Sequence, residues 1–386
     1  MAAPSAADLR REFVLDPEVA FLNHGSFGAC PRPVFERYQA RQRELEHEPV
    51  DFIRRRLPAL LDDARATLAD YLGASTDDLA FVTNATTGVN LAARSLELQP
   101  GDEVLTTDLE YGACDLAWEW ICRRAGARYV RAPIPLPLLH PGELVDALFA
   151  AAGQRTRVLY VSHVTSSTGL VLPLEEMLTS ARALDLVTIV DGAHAPAHVP
   201  VELARLDADF YAGNCHKWLC APKGAGFLHV RPEHQERVDA AIVSWGYSEG
   251  NTFVDRLETQ GTRDPAAWLA VPEAIRFEAD RDWDEVRDRC CRLAREARWE
   301  LCELTGTEPL GPDEMLGQMA AVRLPHPAPG LSDRLFADHR VEVPIGGPTD
   351  DLLRLSVAAY TTRDEIDRLL AALARELDPE HRQRDQ

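Results

Sequence analysis

The chain has 386 residues, ordinary shares of hydrophobic (46%) and charged (27%) residues, and a formal net charge of −21. Its length predicts one large and one smaller domain, and its negative charge argues against nucleic acid or an anionic membrane surface as a partner. No hydrophobic run reaches the ~18 residues of a transmembrane helix, and the N-terminus does not read as a signal peptide. Eight cysteines without a C-x-x-C pair predict reduced thiols in a cytoplasmic protein.

Strands and helices alternate along the first two thirds of the chain. The pattern predicts strands over residues 79–83, 103–107, 128–132, 157–164, 186–190, 209–212 and 225–230. Helices are predicted over 87–96, 111–125 and 174–184, and a Pro/Leu linker over 133–141. Such alternation is typical of an α/β fold with a mainly parallel sheet and helices on both faces.

The pattern changes beyond about residue 263. Long helices are predicted over 266–279, 283–304 and 363–376, and strands over 319–324 and 352–357. This order is typical of an α+β domain. We therefore predict an N-terminal arm over residues 1–20, a large α/β domain over 21–262 and a smaller α+β domain over 263–386, with a frayed tail from Pro379.

Lysine is almost missing from this sequence. Of the 41 lysines and arginines only two are lysines, Lys217 and Lys223, and both lie in residues 214–224. A coding bias toward arginine explains the scarcity, but it does not explain the location. Arginine stays protonated, whereas a desolvated lysine becomes a neutral amine that attacks carbonyl groups. Because Lys217 follows a predicted strand and turn, we predict that it is a Schiff-base lysine at the edge of the sheet.

An aspartate stands at the end of another hydrophobic strand. Asp191 is costly to bury there unless it is paired, and a pyridinium nitrogen would be a suitable partner. The alternative is an aspartate that caps the next turn. His194 and His198 have the spacing of metal ligands, but Gly192 and Pro196 disfavour a helix between them, so no metal site is predicted.

Two further polar segments follow predicted strands. Residues 83–88 form a turn into a helix, which is either an anion-binding N-terminus or an ordinary capped helix. Residues 162–169 contain a cluster of hydroxyl side chains. An anion site, then Asp191, then Lys217 is the set of groups that binds pyridoxal phosphate: phosphate, ring nitrogen and aldehyde.

Several sequence runs identify a family. They cover residues 22–28, 168–173, 191–196, 209–213, 216–219 and 258–264, and extend to 354–356 and 360–362. In these runs the chain resembles the fold-type I pyridoxal-phosphate enzymes of the class V aminotransferase superfamily, most closely the isopenicillin N epimerases. The resemblance implies a large domain with a mainly parallel, seven-stranded-type sheet, a smaller C-terminal domain and pyridoxal 5'-phosphate as cofactor.

The resemblance also implies roles for particular residues. Lys217 would bind the cofactor and carry the α-proton, Asp191 would pair with the pyridine nitrogen, and Tyr111 would stack on the ring face opposite Lys217. The remaining cofactor contacts would be Ser166 and His194 near the ring hydroxyl and Ala85, Thr86, Asn214 and His216 at the phosphate. Arg354, with Asn23 and His24, would bind the amino-acid substrate. Gly261 and Thr262 would reach the phosphate of a neighbouring subunit, which implies a homodimer with shared sites.

Structural alternatives exist for three of these residues. Tyr111 would also suit packing at a helix start, Arg354 an ion pair on a strand, and Asn23 a turn. A non-enzymatic relative is disfavoured, because Lys217, Asp191 and Arg354 are present together.

The reaction is less defined than the cofactor. Enzymes of this superfamily share removal of an α-proton and diverge afterwards. We expect epimerisation of an amino acid in natural-product metabolism, with Tyr111 as the acid opposite Lys217; the alternatives are a C–S β-lyase and an aminotransferase. Residues 341–347 lack the nucleophilic cysteine that desulfurases carry on a comparable loop, so a persulfide-forming desulfurase is not expected.

Overall fold

The computed structural model describes residues 3–326, 329–347 and 351–378, so the predicted frayed tail from Pro379 lies outside the described residues. The strands are β1 (Ala20–Phe21), β2 (Leu79–Val82), β3 (Glu103–Thr107), β4 (Arg128–Ala132), β5 (Thr156–Ser162), β6 (Val187–Gly192), β7 (Phe210–Asn214), β8 (Gly226–Val230), β9 (Met319–Arg323), β10 (Val341–Glu342), β11 (Ile345–Gly346) and β12 (Leu352–Ser356).

The helices of the first half are α1 (Ala6–Glu12), α2 (His24–Phe27), α3 (Arg32–His47), α4 (Pro49–Asp51), a π-helical turn (Phe52–Arg56), α5 (Leu57–Tyr71), α6 (Ala85–Arg94), α7 (Gly112–Ala125), α8 (Pro141–Ala150) and α9 (Leu174–Ala183). Those of the second half are α10 (Leu203–Leu206), α11 (Pro232–Gln235), α12 (Phe253–Glu258), α13 (Ala266–Leu269), α14 (Val271–Ala279), α15 (Trp283–Thr305), α16 (Leu331–His339) and α17 (Arg363–Leu377). Short 3-10 turns span Thr76–Asp78, Trp245–Tyr247 and Asp313–Met315.

The central sheet has seven strands in the order β2-β8-β7-β6-β5-β3-β4. Strands β4, β3, β5, β6 and β7 are parallel to one another, and β8 runs antiparallel to both β7 and β2. The predicted α/β fold with a mainly parallel sheet is therefore confirmed. Its parallel strands place their carboxyl ends at one edge, where open α/β sheets bind ligands.

Both faces of this sheet are buried. In β5, Val158 and Tyr160 belong to one hydrophobic cluster, while Leu159 and Val161 belong to the other. Because side chains alternate along a strand, the two clusters lie on opposite faces. Helices cover both faces, which explains why the strand sequences are continuous hydrophobic runs rather than alternating ones.

The C-terminal part forms a second, smaller sheet in the order β11-β12-β9, with antiparallel neighbours. Strand β1, at the end of the predicted N-terminal arm, pairs in parallel with β10. This pairing connects the N-terminal segment to the C-terminal part of the chain. The prediction of a single helix over 266–279 is wrong, because two helices, α13 and α14, cover this range. Pro272 stands in the first turn of α14, where its missing N–H is tolerated, and α13 ends just before it.

In the described part of the chain, none of the helices combines the length and hydrophobicity that crossing a bilayer requires.

Candidate active site

The carboxyl ends of β5, β6 and β7 border a cavity of about 210 Å³. Ser162 on β5 lies opposite Asp191 on β6, and Lys217 follows the end of β7. The cavity is lined by Ser26, Phe27, Asn84, Thr86, Tyr111, Ser162, Val164, Ser166, Asp191, Ala193, His194, Asn214, His216 and Lys217. The sheet thus brings together most of the residues that the sequence predicted, from segments far apart in the chain.

Lys217 presents its amine to this cavity. Its Nζ lies 3.0 Å from Nε2 of His194, whose ring is buried. Burial lowers the pKa of Lys217 to about 8, with Asp191 opposing and Arg354 reinforcing the shift. At pH 7 roughly a tenth of this lysine is therefore a neutral, nucleophilic amine, far more than for a lysine with the usual pKa.

Asp191 is a buried carboxylate with neutral partners. Its Oδ1 accepts the Ala193 N–H at 2.9 Å, and Oδ2 contacts the Cys114 thiol at 3.6 Å and the Tyr160 hydroxyl at 3.4 Å. Burial raises the pKa of Asp191, although the Ala193 hydrogen bond and the Lys217 charge oppose the shift. A cationic group in the cavity would stabilise the ionised form, which is what a protonated pyridine nitrogen supplies.

The opposite end of the cavity is polar and contains the start of α6. Asn84 caps this helix by accepting the Thr87 N–H, and Thr86 lines the cavity. The Ala85 N–H, predicted to face a phosphate, instead donates to Oδ1 of Asn214 at 2.8 Å. In this structure Ala85 is thus a packed residue whose N–H is engaged by Asn214, which holds the helix start against β7, and its role at the phosphate stays a prediction.

His216 lies beside the same helix start. Its Nδ1 is 2.9 Å from the Ala225 carbonyl, which fixes the proton on Nδ1 and leaves Nε2 without a proton in the neutral ring. Burial lowers the pKa of His216 to about 4. A phosphate dianion would favour the protonated ring, because an adjacent opposite charge stabilises the charged form.

Arg354 is a buried guanidinium that has only neutral acceptors among the described residues. Its Nη1 donates to the Ser166 carbonyl at 2.6 Å, and Nη2 donates to Ser26 Oγ at 2.7 Å and Asn23 Oδ1 at 3.3 Å. Its Nε is buried without a partner. Burial lowers the pKa of Arg354 to about 10. An unpaired buried cation with a free donor is suited to a substrate carboxylate.

His24 is not among the residues that line this cavity, and its predicted role in substrate binding stays a prediction. Its Nδ1 contacts the Tyr360 hydroxyl at 2.9 Å, and Nε2 contacts the Lys217 carbonyl at 3.0 Å. Both ring nitrogens are thus engaged, and burial lowers the pKa of His24 to about 3. The residue supports the backbone of Lys217 from beneath the site. Asn23, in contrast, does contact Arg354, as the resemblance implied.

Tyr111 stands at the border between this cavity and a larger one. It is the N-cap residue of α7, and its side chain is 45% exposed. Together with Ser166 it also lines an adjoining cavity of about 610 Å³. The far wall of that second cavity contains Arg323, whose Nη1 lies 2.7 Å from Asp351.

Gly261 and Thr262 lie elsewhere. Both are exposed and line a separate cavity beside α5 and α12, away from Lys217 of the same chain. Their predicted role in a neighbouring subunit therefore stays a prediction.

The structure adds three residues that the sequence analysis missed. Ser26 donates to Asn23 and binds Arg354, and Ser162 donates to the buried Glu110 at 2.5 Å. Glu110 also accepts the Thr107 hydroxyl at 2.7 Å. Glu110 directly precedes the predicted Tyr111, and Ser26 lies two residues after His24, but nothing in their local pattern indicates the long-range bonds to Arg354 and Ser162.

These side chains fit pyridoxal phosphate. A desolvated amine, a buried carboxylate that lacks a cationic partner and a polar helix start surround one cavity, which matches the aldehyde, the ring nitrogen and the phosphate of the cofactor. Among the described residues that line this cavity and the adjoining one, there is no cysteine.

Comparisons with known proteins agree with this site. The model of the family "Aminotransferase class-V" matches residues 32–369. An isopenicillin N epimerase from Amycolatopsis lactamdurans is 44% identical, with 97% of this chain and 99% of that protein covered. A putative L-cysteine desulfhydrase from Oryza sativa subsp. japonica is 33% identical, covering 88% and 76%.

A solved structure supports the fold. The cysteine desulfurase of Escherichia coli superposes with a TM-score of 0.82 at 25% identity, covering 97% of this chain and 98% of the other. The predicted similarity to isopenicillin N epimerases and the fold-type I architecture are thus confirmed. Since the family model matches most of the chain and the relatives match it nearly end to end, the chain belongs to the class V aminotransferase family.

Proposed function

We propose that this protein is a pyridoxal-phosphate-dependent epimerase of an amino acid with a long side chain, such as isopenicillin N, in antibiotic biosynthesis. The observation that carries the proposal is the pair of cavities that meet at Tyr111 and Ser166. The smaller one contains Lys217 and the polar groups that suit the cofactor. The larger one, of about 610 Å³, exceeds what the side chain of cysteine would need.

Each residue of the smaller cavity has a chemical task in this proposal. When bound, pyridoxal phosphate acidifies the α-hydrogen of an amino acid by accepting the electron pair of the broken C–H bond into its ring. Asp191 keeps the ring nitrogen protonated, Thr86, Asn214 and His216 hold the phosphate, and His194 and Ser166 border the ring hydroxyl. Arg354, supported by Asn23 and Ser26, holds the substrate α-carboxylate.

Inversion needs proton transfer at two faces of the α-carbon. Lys217 removes the α-proton, and its lowered pKa of about 8 suits a base that works near neutral pH. Tyr111 borders the cavity and is exposed toward the larger one, so it is the group that we assign to the opposite face. Its hydroxyl returns a proton there, and the product has the inverted configuration.

A C–S β-lyase is the second candidate, because the chain is also similar to a putative cysteine desulfhydrase. Loss of a thiolate from the β-carbon follows α-proton removal and needs no acid opposite Lys217. The absence of cysteine from the described cavity walls disfavours a persulfide-forming desulfurase. An aminotransferase has no specific observation in its favour.

We further propose a cytoplasmic homodimer with shared active sites. The segment around residue 244 exposes two large hydrophobic side chains, Val243 (75%) and Trp245 (82%). An exposed hydrophobic surface of this kind is typical of a protein–protein interface. Gly261 and Thr262 follow α12 in the chain and are also exposed. A second copy on this surface would receive Thr262 near its phosphate. The eight free cysteines are compatible with a reducing compartment.

Tyr111→Phe separates the two candidate reactions. The wild type is expected to invert isopenicillin N without releasing a thiol or a keto acid. In the variant, the aromatic ring remains but the hydroxyl is lost, so inversion should fall by about 100-fold while exchange of the α-proton in deuterium oxide continues. The measurements are chiral chromatography and mass spectrometry. A variant that inverts as fast as the wild type would exclude Tyr111, and thiol with keto acid from the wild type would establish the lyase.

A further inference from the structure

The ring of His194 is fixed in one protonation state by its surroundings. Burial lowers its pKa well below the usual value, so the ring is neutral and carries one N–H. Nε1 of Trp218 points to Nδ1 of His194 at 3.4 Å. An indole N–H can only donate, so Nδ1 must accept and the proton of the ring must lie on Nε2.

A second histidine holds this arrangement in place. Nε2 of His198 accepts the backbone N–H of Gln318 at 2.6 Å, so its own proton lies on Nδ1. That Nδ1 lies 3.0 Å from the His194 carbonyl and donates to it. The His198 ring also packs against Trp218, with ring centroids 4.4 Å apart. The indole and the backbone of residue 194 are thus both restrained.

The fixed proton faces the amine of Lys217. Nε2 of His194 and Nζ of Lys217 are 3.0 Å apart, which is hydrogen-bond distance. If Nε2 carries the proton, the amine can form this bond only with its lone pair. A protonated Lys217 would oppose a donor with a donor, whereas a neutral Lys217 accepts the bond.

We propose that Trp218 and His194 act as a donor relay that presents an N–H to Lys217 and so keeps its amine in the neutral, proton-accepting form. His194 is then a positioning residue whose effect is electrostatic, and Trp218 acts through it. The inference deepens the proposed function, because it rests on Lys217 as the base at the α-carbon. It also explains why an indole stands directly after the catalytic lysine.

Other charged groups around Lys217 are not part of this relay. Asp191 on β6 and the Cys114 thiol on α7 raise the pKa of Lys217, while Arg354 on β12 lowers it. The His24 ring reaches Lys217 through the Lys217 carbonyl, also hydrogen-bonds to the Tyr360 hydroxyl, and is neutral. Because the His24 ring packs against Trp218, with ring centroids 4.9 Å apart, the effect of a Trp218 substitution on the Lys217 titration is compared with and without His194 to isolate the relay.

The scarcity of lysine makes a direct test possible. Full-length protein labelled with carbon-13 at lysine Cε gives two lysine signals, and Lys223→Arg assigns them. The Cε shift of Lys217 is followed against pH after the cofactor has been removed. In Trp218→Phe the imidazole is free to move its proton to Nδ1 and accept from an ammonium group. The pKa of Lys217 should then rise by about one unit.

Two controls separate the relay from packing. Trp268→Phe removes a buried indole N–H that donates to the Val82 carbonyl, and it should leave the Lys217 titration unchanged. In a His194→Leu background, Trp218→Phe should have no further effect, because the relay is already broken. The proposal would be overturned if the Lys217 pKa stayed unchanged in Trp218→Phe. It would also be overturned if Trp218→Phe shifted this pKa equally in the wild-type and His194→Leu backgrounds.

The wild-type protein supplies an independent measurement, for which His194→Leu serves only to assign one signal among those of the twelve histidines. Nitrogen-15 spectra of labelled histidine distinguish a ring protonated at Nε2 from one protonated at Nδ1. The signal that depends on His194 should be of the Nε2–H type, and an Nδ1–H signal would contradict the relay. Neither measurement uses a substrate, so either can fail while the epimerase proposal stands, and the reverse also holds.

Discussion

Individual buried charges without counter-charges distinguish the active site from the rest of the interior. Elsewhere, two buried arginines are paired with carboxylates: Arg65 contacts Glu258 at 2.9 Å, and Arg298 contacts Asp313. In the cavity, Lys217 and Arg354 have neutral hydrogen-bond partners among the described residues. Burying a charge without a partner is costly, and we therefore propose that these positions serve ligand binding rather than stability.

Replacing Lys217 should abolish the covalent binding of the cofactor, whereas replacing Lys223 should leave it intact. Lys217→Ala should abolish the visible absorption band of bound pyridoxal phosphate and all turnover, because the described site contains no other amine. Lys223→Ala should keep the band, since its Nζ donates to the Gly28 carbonyl at 3.0 Å and does not line the cavity. Absorption spectra of the purified variants check this. The opposite pattern would show that the wrong lysine has been assigned.

Arg354→Leu should separate binding from stability. We expect KM to rise by about 100-fold, because the substrate carboxylate loses its guanidinium partner. The melting temperature of the ligand-free variant should stay equal or rise, because an unpaired buried cation is removed. Arg298→Leu is the contrasting change: its guanidinium is paired with Asp313 and the Gly311 carbonyl, so the melting temperature should fall and KM should not change. A loss of stability in Arg354→Leu with unchanged KM would refute the assignment.

At the scale of elements, the site depends on how closely α6 approaches the sheet. A Cβ at Gly88 would lie 2.7 Å from the Cβ of Ala212 on β7, so glycine permits this close packing. The Asn214 side chain at the end of β7 then reaches the Ala85 N–H at the start of α6. The helix start is thereby fixed beside Thr86 and His216, at the polar end of the cavity.

The packing of α14 against α5 should make stability depend on pH. Glu278 on α14 is buried, accepts the Tyr71 hydroxyl at 2.9 Å and has one oxygen without a partner. Burial raises the pKa of Glu278 to about 8. Because the folded pKa exceeds the unfolded value, the stability from the neutral acid is complete below about pH 4.5 and is lost as pH rises toward 8, by at most ~1.4 kcal/mol per pH unit.

Glu278→Gln should therefore reduce the loss of stability between pH 5 and pH 8, measured by denaturant unfolding. Glu376→Gln should have the opposite pH dependence. Burial opposes the shift there, but hydrogen bonds from Arg334 and His339 lower the pKa of Glu376. The stabilisation from ionised Glu376 is present above about pH 4.5 and is lost as pH falls. Relative to the wild type, the variant should therefore lose more stability at pH 7 than at pH 4. Parallel pH profiles for wild type and Glu278→Gln would contradict the first expectation.

At the scale of the whole molecule, the cofactor site and the proposed dimer should fail together. Trp245→Glu places a charge on the exposed hydrophobic surface, so it should convert the dimer to monomer and weaken cofactor retention. Thr262→Ala should weaken retention by about 10-fold while the dimer persists, because it removes one hydroxyl. Analytical ultracentrifugation and dialysis followed by absorption spectra measure both. A monomer that retains its cofactor fully would contradict shared sites.

The sequence by itself determined the sheet and two of its ligand groups. Strands β3 and β4 have the predicted bounds, and the other strands of the large sheet differ by one to two residues at their ends. Continuous hydrophobic runs define such strands locally, and a polar residue at the end of a run stands out. Asp191 was singled out for this reason, whereas Lys217 was singled out because it is one of only two lysines and follows a predicted strand. The resemblance in short runs then supplied the family, the cofactor and Arg354, which no local pattern indicates.

The tertiary structure decided which donor meets which acceptor. Arg354 and Asn23 are 331 positions apart, and only the packing of β12 beside the loop after β1 brings them into contact. The same packing places His24 beneath Lys217, where it contacts the Lys217 carbonyl. Because α6 lies close to β7, the Ala85 N–H donates to Asn214. Periodicity reports which face of an element is buried, but hydrogen bonds depend on distances of about 3 Å between segments. Those distances are fixed only when the core is packed.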